Sequence, residues 1–143
     1  MIQEQKNKFE ILEHTADLKI RARGKTKEEL FANMAEGMFF NLVDSLQTTD
    51  DSKNRIKEKF KIESTDLGAL LVDFLSQLNY LADLHNAIFD EFKIKIQDDK
   101  NLEAEVSGYK VKSFALEIKA VTYHDLVIKK EKGQWVAEVL FDI

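Results

Sequence analysis

Two groups of oxygen-bearing residues stand far apart in this sequence. His14-Thr15-Ala16-Asp17 is a polar tetrad set into an otherwise alternating apolar stretch, and the last residues are Phe141-Asp142-Ile143. The Asp142 side chain and a main-chain carboxylate on Ile143 therefore lie one residue apart. Carboxylic acids of both kinds are ionised at neutral pH. If folding carries Asp17 to that end, three anions converge, and without a counterion their meeting is repulsive. A hard divalent cation relieves it, and an all-oxygen ligand set favours Ca²⁺, Mg²⁺ or Mn²⁺ over zinc. The plainer alternative is a turn aspartate, a half-buried packing histidine and a solvated terminus.

A second cluster is Lys119-Ala120-Val121-Thr122-Tyr123-His124. In a strand, Lys119, Val121 and Tyr123 share one face, while Ala120, Thr122 and His124 share the other. Lys119 is then a fixed cation that either pairs with Asp17 or binds a phosphate; equally, the segment is an edge strand with its polar residues outward. Asp83-Leu84-His85 closes an apolar helical pattern, where His85 meets the negative end of the helix dipole. Three histidines are too scattered for a zinc site, and no glycine-rich phosphate loop or Gly-x-Ser-x-Gly elbow occurs. The residues by themselves do not indicate an enzyme.

These groups need a framework that brings residue 17 to residue 142. A 143-residue chain fits one domain, of a size that buries roughly 68–70 % of its unfolded surface. The reading places residues 1–7 as a flexible N-terminal segment and 8–143 as the domain. With 44 % apolar and 33 % charged residues the surface is densely charged. The net charge of −5, with acids and bases interspersed, argues against a nucleic-acid footprint. Cysteine is absent, which excludes disulfides and thiolate metal sites. No apolar run approaches the roughly 20 residues of a membrane span and no signal segment is visible, so a cytoplasmic location is expected. Proline is absent and glycine occurs five times, so turns must lean on Asn, Asp, Ser and Lys-Gly.

Alternation predicts strands around Phe9 and Ile11 and over Leu18, Ile20 and Ala22. Thr26 with Glu29 forms a capping box for an amphipathic helix from Leu30 to about Val43 or Leu46. An exposed turn over 47–54 precedes a strand with Ile56, Phe60 and Ile62 inward and Glu58 and Lys61 outward. Thr65 or Asp66 caps a second helix over Leu67–Leu81, the central core helix. Further strands are expected at Phe92–Ile96, Leu102–Val106, Ala115–Val121, Leu126–Ile128 and Trp135–Phe141, with Lys132-Gly133 as a hairpin turn. The class is α+β, with two amphipathic helices packed on largely antiparallel β-sheet.

Taken in order, these pieces resemble the archease family. The matching elements are His14-Thr15-Ala16-Asp17, the helix start Lys27-Glu28-Glu29-Leu30-Phe31, the Leu70-Leu71 to Leu81 helix, the Ile118 to His124 segment and the closing Asp142-Ile143. The resemblance runs from about Phe9 to the end. It implies a small accessory protein, not itself an enzyme, that activates the RtcB-type RNA ligase of tRNA splicing and RNA repair. Such proteins promote guanylylation of the ligase's catalytic histidine and its multiple turnover. It further implies a divalent cation, Ca²⁺ ahead of Mg²⁺ or Mn²⁺, held by Asp17, Asp142 and the Ile143 carboxylate. Lys119 is then functional, and His14, Tyr123 and His124 face the partner. RNA is met only through the ligase, and no membrane is involved. The connection from Ser107-Gly108-Tyr109 to Phe114 departs from the family pattern, lacking its usual Gly-Glu and histidine.

Two other functions compete. One is a metal-dependent phosphodiester or nucleotide hydrolase, with Asp17 and Asp142 as ligands and His14 or His124 as general base. The other is a chaperone-like scaffold whose apolar helix stripes bind clients, which requires an exposed apolar patch of several hundred Å².

Overall fold

The computed structural model describes residues 8–14, 17–44 and 54–143, without the side chains of Glu13 and His14. The expected flexible segment 1–7 and all but the last residue of the expected turn 47–54 lie outside the described residues.

Alternation decides which faces pack. In β1 (Phe9–His14) and β2 (Asp17–Gly24), Phe9, Leu18, Ile20 and Ala22 are fully buried, while Glu10, Lys19, Arg21 and Arg23 occupy the opposite face. β2 runs antiparallel to β7 (Gln134–Asp142), and β7 to β6 (Ala120–Glu131), giving the order β1-β2-β7-β6. A second antiparallel sheet is built from β3 (Ile56–Glu63), β4 (Ala87–Gln97) and β5 (Asn101–Lys110) in the order β3-β5-β4. Its outer face alternates in sign across the strands, with Lys59, Glu105 and Lys93 in one row and Lys61, Glu103 and Lys95 in the next. Opposed charges of this kind support the pairing.

The helices sit between the sheets. α1 (Lys27–Leu42) packs against β2 on one side and β4 on the other, and α2 (Leu67–His85) against β6 and β4. That explains why α1 buries residues around most of its circumference, including Leu30, Phe31, Met34, Met38 and Phe39. Half of the box at its start forms: Thr26 accepts from the Glu29 amide at 3.0 Å, while the Glu29 side chain accepts from the Lys25 amide at 3.3 Å, one residue before the cap. It ends at Leu42, short of Leu46, because Val43 is already extended. At α2 the cap is Asp66, which accepts from the Ala69 amide at 2.8 Å. This helix continues past Leu81 until Asn86 adopts a left-handed conformation with φ 51° and donates its N–H to the Ala82 carbonyl. Phe31 and Phe74 join the two helices in one core, ring centroids 5.7 Å apart. Burying each such ring contributes about 1.5–3 kcal/mol.

Two expectations need correction. Glu58 does not point outward: it shares the half-buried face of β3 with Ile56, Phe60 and Ile62, where His85 Nε2 lies 3.3 Å from its carboxylate. Ala115–Val121 and Leu126–Ile128 are not separate strands. Residues 115–119 are irregular and β6 begins at Ala120, because the Ile118 carbonyl is taken by Asn79 Nδ2 at 3.0 Å. Elsewhere the turn chemistry is as expected for a proline-free chain. Asn86, Asp98, Asp99, Asp125 and Lys132 take positive φ, and Lys132-Gly133 (φ 52° and 78°) makes the two-residue hairpin turn. Among the described residues no helix is long and apolar enough to cross a membrane.

Candidate metal centre

β2 begins at Asp17, β7 ends at Asp142, and the two residues are register partners. Directly opposed residues of antiparallel strands project to the same face, with Cβ atoms about 4.5–5.5 Å apart. The basic residues of that face each reach a carboxylate, although only Arg21 has one, Glu138, as its direct partner on β7; Lys19 and Arg23 lie opposite Leu140 and Val136. Arg23 meets Glu10 at 2.6 Å, Arg21 bridges Glu10 at 3.8 Å and Glu138 at 2.9 Å, and Lys19 lies 3.9 Å from Glu138. At the final rung carboxylate faces carboxylate. Neither Asp17 nor Asp142 makes an ion pair or side-chain hydrogen bond among the described residues.

Directly opposed like charges are destabilising, and an oxygen-only donor pair suits a hard cation. On that chemistry the residues present fit a divalent ion. Among the described residues, however, no three His, Cys, Asp or Glu side chains gather into a metal-holding group. Among the described residues, side chains thus offer this end the Asp17–Asp142 pair. Ile143 is next to Asp142, and its half-buried side chain packs on the core, which fixes the main chain there.

Lys119 reaches this end by its backbone. Its N–H donates to the Asp142 carbonyl at 2.7 Å, one residue before Ala120 takes its place opposite Asp142. The side chain is exposed, lines a cavity against α2, and makes no ion pair with Asp17. His14 pairs through its backbone with Leu18, while its side chain and residues 15–16 lie outside the described residues.

Strict alternation in β6 holds only as far as Thr122. A register shift between Thr122 and Val127 leaves four residues, Tyr123 to Leu126, opposite one, Val139. Thr122 Oγ1 donates to the Leu140 carbonyl at 3.0 Å and accepts from the His124 amide at 3.3 Å. Tyr123 turns to α2 and donates its hydroxyl to Asp73 at 3.2 Å, while Ser64 donates to the other Asp73 oxygen at 2.5 Å. Burial first, then the Asp73 carboxylate, raises the Tyr123 phenol above its ordinary value and keeps it a donor. His124 is exposed, 3.5 Å from Asp125. The structure thus brings together Asp17, Asp142 and the Lys119 backbone; Tyr123 and His124 sit farther along β6.

Asp73 and Asn79 were not singled out from the sequence, yet they hold the two segments flanking Ala120. The signal was present: both interrupt the apolar pattern of a largely buried helix, where a polar side chain must find a partner.

Residues 9–143 match the model of the Archease protein family (MTH1598/TM1083). The chain is 40 % identical to the protein archease of Methanosarcina barkeri, covering 97 % of this chain and 98 % of the relative. To that of Thermococcus kodakarensis it is 34 % identical, over 95 % and 99 %. A solution structure of Methanobacterium thermoautotrophicum protein 1598 superposes with a TM-score of 0.71 at 28 % identity, over 96 % and 99 % of the two chains. The crystal structure of a Thermotoga maritima archease, described as a possible chaperone, shares the fold with a TM-score of 0.63 at 21 % identity, over 94 % and 96 %.

Proposed function

The chain belongs to the archease family, and from that premise we propose that it is an accessory protein that activates an RtcB-type RNA ligase in tRNA splicing and RNA repair. In this reading it promotes guanylylation of the ligase and its multiple turnover, in the cytoplasm, and meets RNA only through the ligase. The observation that carries the reading is the uncompensated rung at which Asp17 faces Asp142. Asp17, Asp142 and the Ile143 carboxylate would hold a divalent cation, Ca²⁺ ahead of Mg²⁺ or Mn²⁺. When bound, that ion supplies concentrated positive charge of the kind that stabilises phosphoryl groups.

The chain's own residues set the stage for it. The Arg21–Glu10–Glu138 ladder ties β1, β2 and β7 together, so the two aspartates ride on a rigid sheet end. Lys119 adds a positive charge near that end, its backbone held by the N–H bond to the Asp142 carbonyl and its side chain exposed. The bulge held by Tyr123 and Asp73 presents His124 to solvent, as a partner-facing side chain requires.

A chaperone-like role built on the helix stripes is disfavoured, because those stripes are buried between the sheets. The test is guanylylation of the ligase from the same host with and without this chain, titrated against Ca²⁺, Mg²⁺ and Mn²⁺. Stimulation that requires the cation and is lost in Asp17→Asn supports the proposal. A wild-type chain without effect on guanylylation or turnover defeats it.

A further inference from the structure

A cavity of about 590 Å³ opens between the C-terminal half of α2 and the irregular connection that leads into β6. Tyr80 and Asp83 line it from the helix, and Phe114, Leu116, Glu117 and Lys119 from the connection. We propose that this groove docks an extended segment of a protein partner that carries both aliphatic and basic side chains. The inference goes beyond the ligase reading and stands without it.

The apolar part of the argument is exposure where burial is the rule. Tyr80 and Leu84, four residues apart and so neighbours on one helix face, are 58 % and 57 % exposed. Tyrosine is enriched at protein interfaces, and its ring accepts the charge of an arginine or lysine as readily as aliphatic contact.

The polar part is charge. Asp83 and Glu117, which line the groove, have no ion pair or side-chain hydrogen bond among the described residues. Two carboxylates against a single lysine in the lining repel a phosphate backbone and attract a basic segment.

The wall is also fixed in advance. Phe114 bridges to Val43, the Ala115 amide donates to the Leu42 carbonyl at 2.9 Å, and Asn79 holds the Ile118 carbonyl at 3.0 Å. Little ordering is left to be done on binding, which favours affinity.

The test titrates the isotopically labelled full chain with two short peptides of equal length, one alternating leucine and arginine, the other leucine and glutamate. Amide shifts at Tyr80, Asp83, Leu84 and Leu116 to Lys119 are expected with the first peptide alone. Tyr80→Ala and Asp83→Lys should each weaken that binding about tenfold, whereas Asp17→Asn should leave it unchanged. No shift, equal shifts with both peptides, shifts scattered over the sheet faces, or a Tyr80→Ala chain that binds like wild type would each overturn the proposal. Peptide binding by a chain that does not stimulate the ligase removes only the ligase reading. Ligase stimulation without peptide binding removes only the groove.

Discussion

The Tyr123 hydroxyl on β6 is bonded to the Asp73 carboxylate on α2 at 3.2 Å, so a helix holds the bulge of an edge strand in place. Deleting the hydroxyl in Tyr123→Phe should cost about 0.5–1 kcal/mol, the low end for a hydrogen bond because the side chain is more than half exposed. Burial and the Asp73 and Asp66 carboxylates raise the phenol's pKa in the folded chain. Its stabilising contribution is therefore complete below the unfolded tyrosine pKa of about 10 and disappears as pH rises through the higher folded value. Urea unfolding of wild type and Tyr123→Phe should converge in stability above about pH 10. A difference that stays constant across that range would assign the cost to packing instead.

Gly108 is needed for close approach, and Gly133 for its conformation. A Cβ at Gly108 would lie 1.9 Å from the Ile88 carbonyl oxygen and 2.7 Å from Phe89 Cα, backbone atoms of β4 beside its register shift. Gly108→Ala should destabilise by about 3 kcal/mol, with β5 pushed from β4. Gly133 has open space around it but a φ of 78°, so Gly133→Ala should cost only about 1–2 kcal/mol. Denaturant midpoints of the two variants should fall in that order.

The strands and helices were legible wherever one periodicity ran unbroken, as in β2, α1 and the hairpin closed by Lys132-Gly133. Reading failed where a side chain, not a period, set the backbone. The sequence from Ala115 to Val121 alternates like a strand, but Asn79 draws the Ile118 carbonyl toward α2, and a single sequence does not show which helix will lie alongside. The charge of Glu58 predicts an outward side chain; its actual partner, His85, comes from another element. At the site, Asp17 and Asp142 were recognisable as ligand types. Their register was not, because pairing between a strand near the start and one at the end depends on the whole sheet order.

Lys59 and Glu105 are opposed on the outer face of the second sheet, 2.9 Å apart. The Lys59 hydrogen bond, then its charge, holds the Glu105 carboxyl below the usual glutamate range. That contribution is present above the unfolded glutamate pKa and is lost as pH falls through the depressed folded value. In Lys59→Ala, the Glu105 carboxyl followed by NMR should titrate higher than in wild type. An unchanged titration would mean that the pair does not persist in solution.

The facing aspartates make opposite predictions with and without a cation. In its absence, Asp17→Asn removes a directly opposed like charge and should stabilise the fold by about 0.2–1 kcal/mol. With Ca²⁺ at about a hundredfold over its dissociation constant, wild type should gain about 2.7 kcal/mol and the variant almost nothing. A variant less stable than wild type even in chelator would mean that Asp17 has a structural partner, and the cation reading would lose its premise. Adding one glycine after Ile143 separates the contribution of the main-chain carboxylate. It displaces that charge by about 3.3 Å and leaves the packed Ile143 side chain and both aspartates in place. Calorimetry should then show wild-type stability without Ca²⁺ and a Ca²⁺ gain sharply reduced. A full gain in the extended chain would restrict the ligands to Asp17, Asp142 and solvent.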